Sequence, residues 1–143
     1  MTQVPGSAML TSNIPLPRRP ALRLRLHLRH GGPPASAVAG STIQAKLLTS
    51  SYVQNFVDYS VIFGISAAGG GSCAPQICIG SQIAYKNFYP EQVPLGNFTI
   101  DVTIPKNTPA GDSVLTAAIP FLVGASGVTQ VHAFNATIAV TAA

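Results

Sequence analysis

Few side chains in this sequence have the chemistry to be modified, to react or to hold a metal, and their spacing narrows the options. Two Asn-X-Thr triplets, Asn97-Phe98-Thr99 and Asn135-Ala136-Thr137, are acceptors for N-linked glycan in a secreted protein. Two cysteines, Cys73 and Cys78, frame the short stretch Cys-Ala-Pro-Gln-Ile-Cys behind a run of glycines. Read as a disulfide, the pair closes a tight loop, adds roughly 2 kcal/mol by the loop-entropy argument, and places the domain in an oxidising compartment. Reduced thiols are the alternative reading. A metal site lacks partners, because no His or second Cys pair lies nearby in the sequence.

Catalysis finds little to work with. A Ser, Cys or Thr nucleophile needs an oriented base within reach. His132 is the only histidine beyond residue 37. It shares strand parity with Phe134 and has no evident orienting acid, the pattern of a partly buried or edge residue. Glycoside hydrolysis needs two facing carboxylates, whereas Asp58, Glu91, Asp101 and Asp112 scatter over polar faces and turns. A histidine-brace copper site would require His30 to become amino-terminal by cleavage after Arg29, and nothing marks that bond. Gly69-Gly70-Gly71 lacks the lysine and following helix of a phosphate cradle. The expectation is a protein that is not an enzyme and has no catalytic residue, cofactor or metal.

Composition bounds the rest. The 143 residues suffice for one domain with a single core. They are 47% hydrophobic and only 8% charged, far below the usual quarter or so, so solubility must come from Ser, Thr, Asn and Gln or from attached sugar. All five arginines (Arg18, Arg19, Arg23, Arg25 and Arg29) lie in the first thirty residues. From Ser41 onward three lysines face four acids, a net of −1. The basic pI of 9.4 therefore belongs to the leading segment. The remainder offers no basic face to nucleic acid. No apolar run approaches the roughly 18 residues of a membrane span.

The elements that must position these groups read as strands. In Asn97–Ile104, Phe98, Ile100, Val102 and Ile104 share one face, with Asn97, Thr99, Asp101 and Thr103 on the other. Phe134–Val140 alternates likewise, with Asn135 and Thr137 opposite Phe134, Ile138 and Val140. Both acceptor asparagines thus fall on the polar face. Further strands are expected at Thr42–Leu48, Val57–Ile65, Ile79–Phe88 and Ser113–Val123, and the Phe134–Val140 alternation lies within a strand over Gln130–Thr141, with Gly/Pro-rich turns between them. Core-facing residues would include Ile43, Ala45 and Leu47; Val57, Tyr59, Val61, Phe63 and Ile65; and Leu115, Ala117, Ile119, Phe121 and Val123. A seventh strand is expected just before Ala39-Gly40. The fold class is all-β, an immunoglobulin/fibronectin-like antiparallel sandwich of six to seven strands. Tyr52, Phe56, Tyr85, Phe88 and Tyr89 lie at strand ends or near loops, where aromatics either anchor a partner or close the core.

Residues 1–37 differ from residues 38–143, which form the expected sandwich domain. They are basic and rich in Pro and Arg, and Leu22–Arg29 alternates leucine with cationic residues. Three readings stand: a disordered or edge-pairing arm, a targeting segment, or a start that does not belong to the folded protein. As written it is not a secretory signal, because no uninterrupted apolar core precedes a small-residue cleavage site.

Specific residues then resemble a family. Ser51-Tyr52-Val53-Gln54-Asn55-Phe56-Val57-Asp58-Tyr59-Ser60-Val61-Ile62-Phe63-Gly64-Ile65 is similar to the segment after the first strand of fungal necrosis-inducing secreted effectors. Phe88-Tyr89 followed by Leu95-Gly96-Asn97-Phe98-Thr99 resembles their middle part. Val102–Gly111, Val114-Leu115-Thr116-Ala117, Gly124-Ala125-Ser126 and Phe134–Val140 resemble their ending in order, spacing and residue type. The resemblance implies a small secreted protein without catalytic activity. It implies suppression of plant pattern-triggered immunity through binding to receptor-associated kinases, and it carries over no binding residue. A cell-wall or surface module that binds polysaccharide is the alternative.

Overall fold

The computed structural model describes residues 21–26, 35–52, 55–70, 73–91 and 93–143. Among these residues the fold is all-β, with nine strands and no helix. In chain order they are β1 Ala21–Leu26, β2 Ala35–Val38, β3 Thr42–Tyr52, β4 Phe56–Asp58, β5 Ser60–Ala67, β6 Ser81–Asn87, β7 Gly96–Thr103, β8 Gly111–Val123 and β9 Val128–Thr141. A three-stranded sheet has the order β1-β3-β7, and a larger sheet runs β2-β9-β8-β5-β6 with β4 also on β8. All pairings are antiparallel except β2 with β9, which is parallel.

The alternations in the sequence place the core. Leu47 of β3 and Val102 of β7 are buried in one cluster with Val61 and Phe63 of β5, Leu115 and Ile119 of β8, and Ile138 of β9. Both sheets therefore share a single apolar interior. Asn97, Thr99, Asp101 and Thr103 are all exposed, as period-two alternation requires. The seventh strand lies where it was expected, as β2, and its Ala37 joins the core. The chain then passes between sheets over Ala39–Ser41. Gly40 adopts φ 86°, and Gly40 N–H donates to Ile104 O at 2.8 Å while Ile104 N–H donates to Ser41 O at 2.9 Å. This corner fastens the end of the small sheet to the start of the large one. From the leading basic segment, Ala21–Leu26 pairs with Leu47–Tyr52 at the edge of the small sheet. Its remaining residues before Ala35 lie outside those described.

The single strand expected over Val57–Ile65 is instead two, and the cause lies on β8. Pro120 has no N–H. Its carbonyl accepts from Tyr59 N–H at 3.0 Å, but the return bond to Tyr59 O that an antiparallel pair would make is impossible. Tyr59 O instead accepts from Phe88 N–H at 2.8 Å and Tyr89 N–H at 3.2 Å. The registers Asp58↔Phe121 and Ile62↔Ala118 leave Tyr59, Ser60 and Val61 opposite only Ile119 and Pro120. This is a bulge of one residue, and it reverses side-chain parity. Val57, expected in the core, is therefore 38% exposed and Tyr59 is half-buried, while Phe56 and Asp58 turn inward. Asp58, expected on a polar face, is buried at 4% exposure.

Ile119 is 1% exposed within the shared cluster. Ile119→Ala is expected to cost about 2–5 kcal/mol, from lost transfer energy and the cavity left behind. The exposed Val131→Ala should stay within about 0.5 kcal/mol. Urea midpoints at unchanged m-value check both.

Candidate interaction face

The outer face of the large sheet is built by residues whose parity opposes the core. Tyr85 of β6 pairs with Ile62 of β5, Ile62 with Ala118 of β8, and Ala118 with Ala133 of β9. Two residues along on the same face, Pro120 pairs with Val131. These six residues form an apolar strip across four strands without a formal charge. Tyr85 is 56% exposed and Val131 42%, whereas Ala118 between them is buried, so the strip meets solvent at its two sides and not at its middle. Tyr89, also exposed, leans on Tyr59 with ring centroids 5.4 Å apart.

The loop from β5 to β6 lies over one end of this face. Cys73 and Cys78 are joined in a disulfide, and Gln76 N–H donates to Cys73 O at 2.9 Å inside the small ring. Two glycines press the exit of the loop against β5. A Cβ on Gly64 would stand 2.0 Å from Ile79 O, and one on Gly80 would stand 2.3 Å from Ile65 O. Gly80 also has φ 72°, which L side chains rarely adopt. The β5–β6 register shifts at Phe63/Gly64, where this close approach occurs. Between loop and sheet lies a cleft of about 420 Å³, lined among others by Val114, Thr116, Ala133, Asn135 and both cysteines. Thr116 Oγ1 donates to Asn135 Oδ1 at 3.0 Å. A second cleft, of about 580 Å³, separates the turn at Asn107–Ala110 from Ile65, Gln82 and Ile83.

The residues singled out in the sequence are distributed unequally around this face. Tyr85 belongs to it and Tyr89 borders it. Phe56 is buried and stacks on Phe121 at 4.7 Å, closing the core. Phe88 is buried beside Phe98. Tyr52 ends β3 opposite Ala21, and its side chain lies outside the described residues. Asn97 and Asn135 are both exposed. His132 packs against Phe121 at 4.4 Å and Phe134 at 6.3 Å, as part of an aromatic ladder. Glu91, Asp101 and Asp112 are exposed on separate elements. Among the described residues, no group of three or more His, Cys, Asp or Glu could hold a metal ion, and no helix is long and apolar enough to cross a membrane. The strip of Ile62, Ala118 and Ala133 was not singled out in the sequence. No local signal marks it, because Ile62, Ala118 and Ala133 come together only through the pairing of β5, β8 and β9.

Comparison with known proteins gives a consistent match. The model of the Nis1 family matches residues 32–139. Necrosis-inducing secreted protein 1 of Colletotrichum orbiculare is 32% identical over 109 residues, covering 73% of this chain and 64% of the relative. The protein of the same name from Colletotrichum higginsianum is 31% identical over 108 residues, covering 75% of this chain and 73% of the relative. This chain thus spans less than two thirds of the C. orbiculare protein.

The contact at Gly64 holds the loop in place. Gly64→Ala is expected to destabilise the fold by about 1–3 kcal/mol, because backbone must move, and to raise amide exchange across residues 73–80. Gly70→Ala, whose Cβ would lie 3.5 Å from its nearest neighbour, should change neither the urea midpoint nor the exchange.

Proposed function

This chain belongs to the Nis1 family, and from that premise we propose that it is a secreted, non-enzymatic effector that acts by binding a protein of a plant host. The observation that carries this reading is the joint one of family membership and an uncharged apolar strip that is exposed at Tyr85 and Val131 and bordered by Tyr89. Exposed aromatics beside small residues on a rigid sheet supply contact area at low entropic cost. The relatives are named as secreted and necrosis-inducing, and the disulfide suits the oxidising conditions of secretion. The partner class is the receptor-associated kinases of plants, as the sequence resemblance implies.

The same reading takes the two sheets as an immunoglobulin-like sandwich. The order β1-β3-β7 corresponds to strands A, B and E of that fold, and β9-β8-β5-β6 to G, F, C and C′. On this assignment the apolar strip lies on the G-F-C-C′ face, a broad surface supported from behind by the whole core.

Immobilised cytoplasmic domains of plant receptor-associated kinases are expected to capture the purified chain. Tyr85→Ala, at an exposed position, should weaken capture by about tenfold or more with an unchanged melting temperature. Absence of capture across a panel of such kinases would contradict the proposed partner. Capture unaffected by Tyr85→Ala and by Val131→Asp would contradict the proposed face.

A further inference from the structure

We infer that Asn135 carries an N-linked glycan whose first N-acetylglucosamine is seated in the cleft between the disulfide loop and β8–β9. Three observations meet at this side chain. Asn135 and Thr137 are both exposed and share the outer face of β9, so the acceptor and its hydroxyl partner point to solvent together. Thr116 Oγ1 donates to Asn135 Oδ1 at 3.0 Å, a bond that engages the carbonyl oxygen and not Nδ2, the atom that takes the sugar. Asn135 itself lines the cleft of about 420 Å³ whose far wall is the Cys73–Cys78 ring.

The chemistry of attachment is compatible with that hydrogen bond. The sugar donor is a lipid-linked oligosaccharide diphosphate of the secretory pathway. The bond between its anomeric carbon and the diphosphate oxygen breaks, and a bond from that carbon to Nδ2 forms. One amide proton leaves with the lipid diphosphate, and Oδ1 remains a carbonyl acceptor for Thr116. The first sugar then enters a space lined by Val114, Ala133 and Gln76. An N-acetylglucosamine presents apolar ring and methyl surface together with hydroxyls, and this wall offers both kinds of contact. Asn97, the other acceptor, lies on β7 of the other sheet and lines neither cleft, so a glycan there would project freely. A seated glycan covers the strip beside Ala133 and leaves Val131 and Tyr85 open to a protein partner.

This inference rests on passage through the secretory pathway, and its test separates the two. Finding the native protein in or out of the culture medium decides secretion. The full chain secreted from yeast behind a yeast leader peptide decides the acceptor. Peptide mass spectrometry is expected to find Asn135 occupied in the wild type and in Thr137→Ser, and empty in Thr137→Ala. The Cys73–Cys78 bond of the occupied protein should be reduced by dithiothreitol about fivefold more slowly, because thiol attack needs access to sulfur. Trimming the glycan to its first sugar with an endoglycosidase should keep the slow rate, and complete removal with an amidase should restore the fast one. An unoccupied Asn135 in secreted protein would overturn the inference. An occupied Asn135 with equal reduction rates before and after removal would overturn the seat.

Discussion

Strand β8 pairs along both of its edges, with β9 on one side and with β4 and β5 on the other. Its residues Leu115 to Ile119 are buried whichever way they point. A strand in this position must satisfy two ladders at once, yet Pro120 can donate to neither. The missing donor is absorbed by a one-residue bulge at Tyr59 and by transfer of Tyr59 O to the amides of Phe88 and Tyr89. The exit of β6 is thereby fastened to the same point. The bulge turns Phe56 and Asp58 inward, and it brings Val61, Phe63 and Ile65 into the core on the far side of the break. Its effect on β4 is an exchange, with Phe56 and Asp58 taking the inner face in place of Val57.

The same arrangement explains how much could be read from residue order. Alternation in Asn97–Ile104 and Phe134–Val140 is local information, since one pleated strand with one wet face writes its parity directly into the chain. Both polar faces were legible, down to the exposure of Asn97 and Asn135. The break at Tyr59 was not, because its cause sits sixty-one positions away in sequence at Pro120. No window of neighbouring residues holds that information, and Val57 was consequently assigned to the wrong face. The buried Asp58 follows from the same displaced parity. The placement of the disulfide loop was half legible. Its cysteines marked a ring, and Gly64 marked a close approach, but only tertiary structure joins the two through Ile79.

Function follows from what the large sheet presents outward. Among the described residues, the groups with reactive chemistry are spread over separate elements or used in packing, as His132 is within its aromatic ladder. What the fold concentrates is an uncharged face of small and aromatic residues on four adjacent strands, with a covalently closed loop at one end. On the proposed reading, shape and burial of tyrosine and valine select the partner, and electrostatic steering contributes little. Membership of the Nis1 family gives that surface its context among secreted, necrosis-inducing proteins.

Hydroxyl-radical footprinting of the chain, alone and bound to the cytoplasmic domain of a plant receptor-associated kinase, reads the bound face residue by residue. Binding is expected to protect Tyr85, Tyr89 and Val131 and to leave the oxidation of Phe98 on the other sheet unchanged. Protection confined to the β1-β3-β7 sheet, or a complex that leaves Tyr85 and Val131 fully reactive, would contradict it.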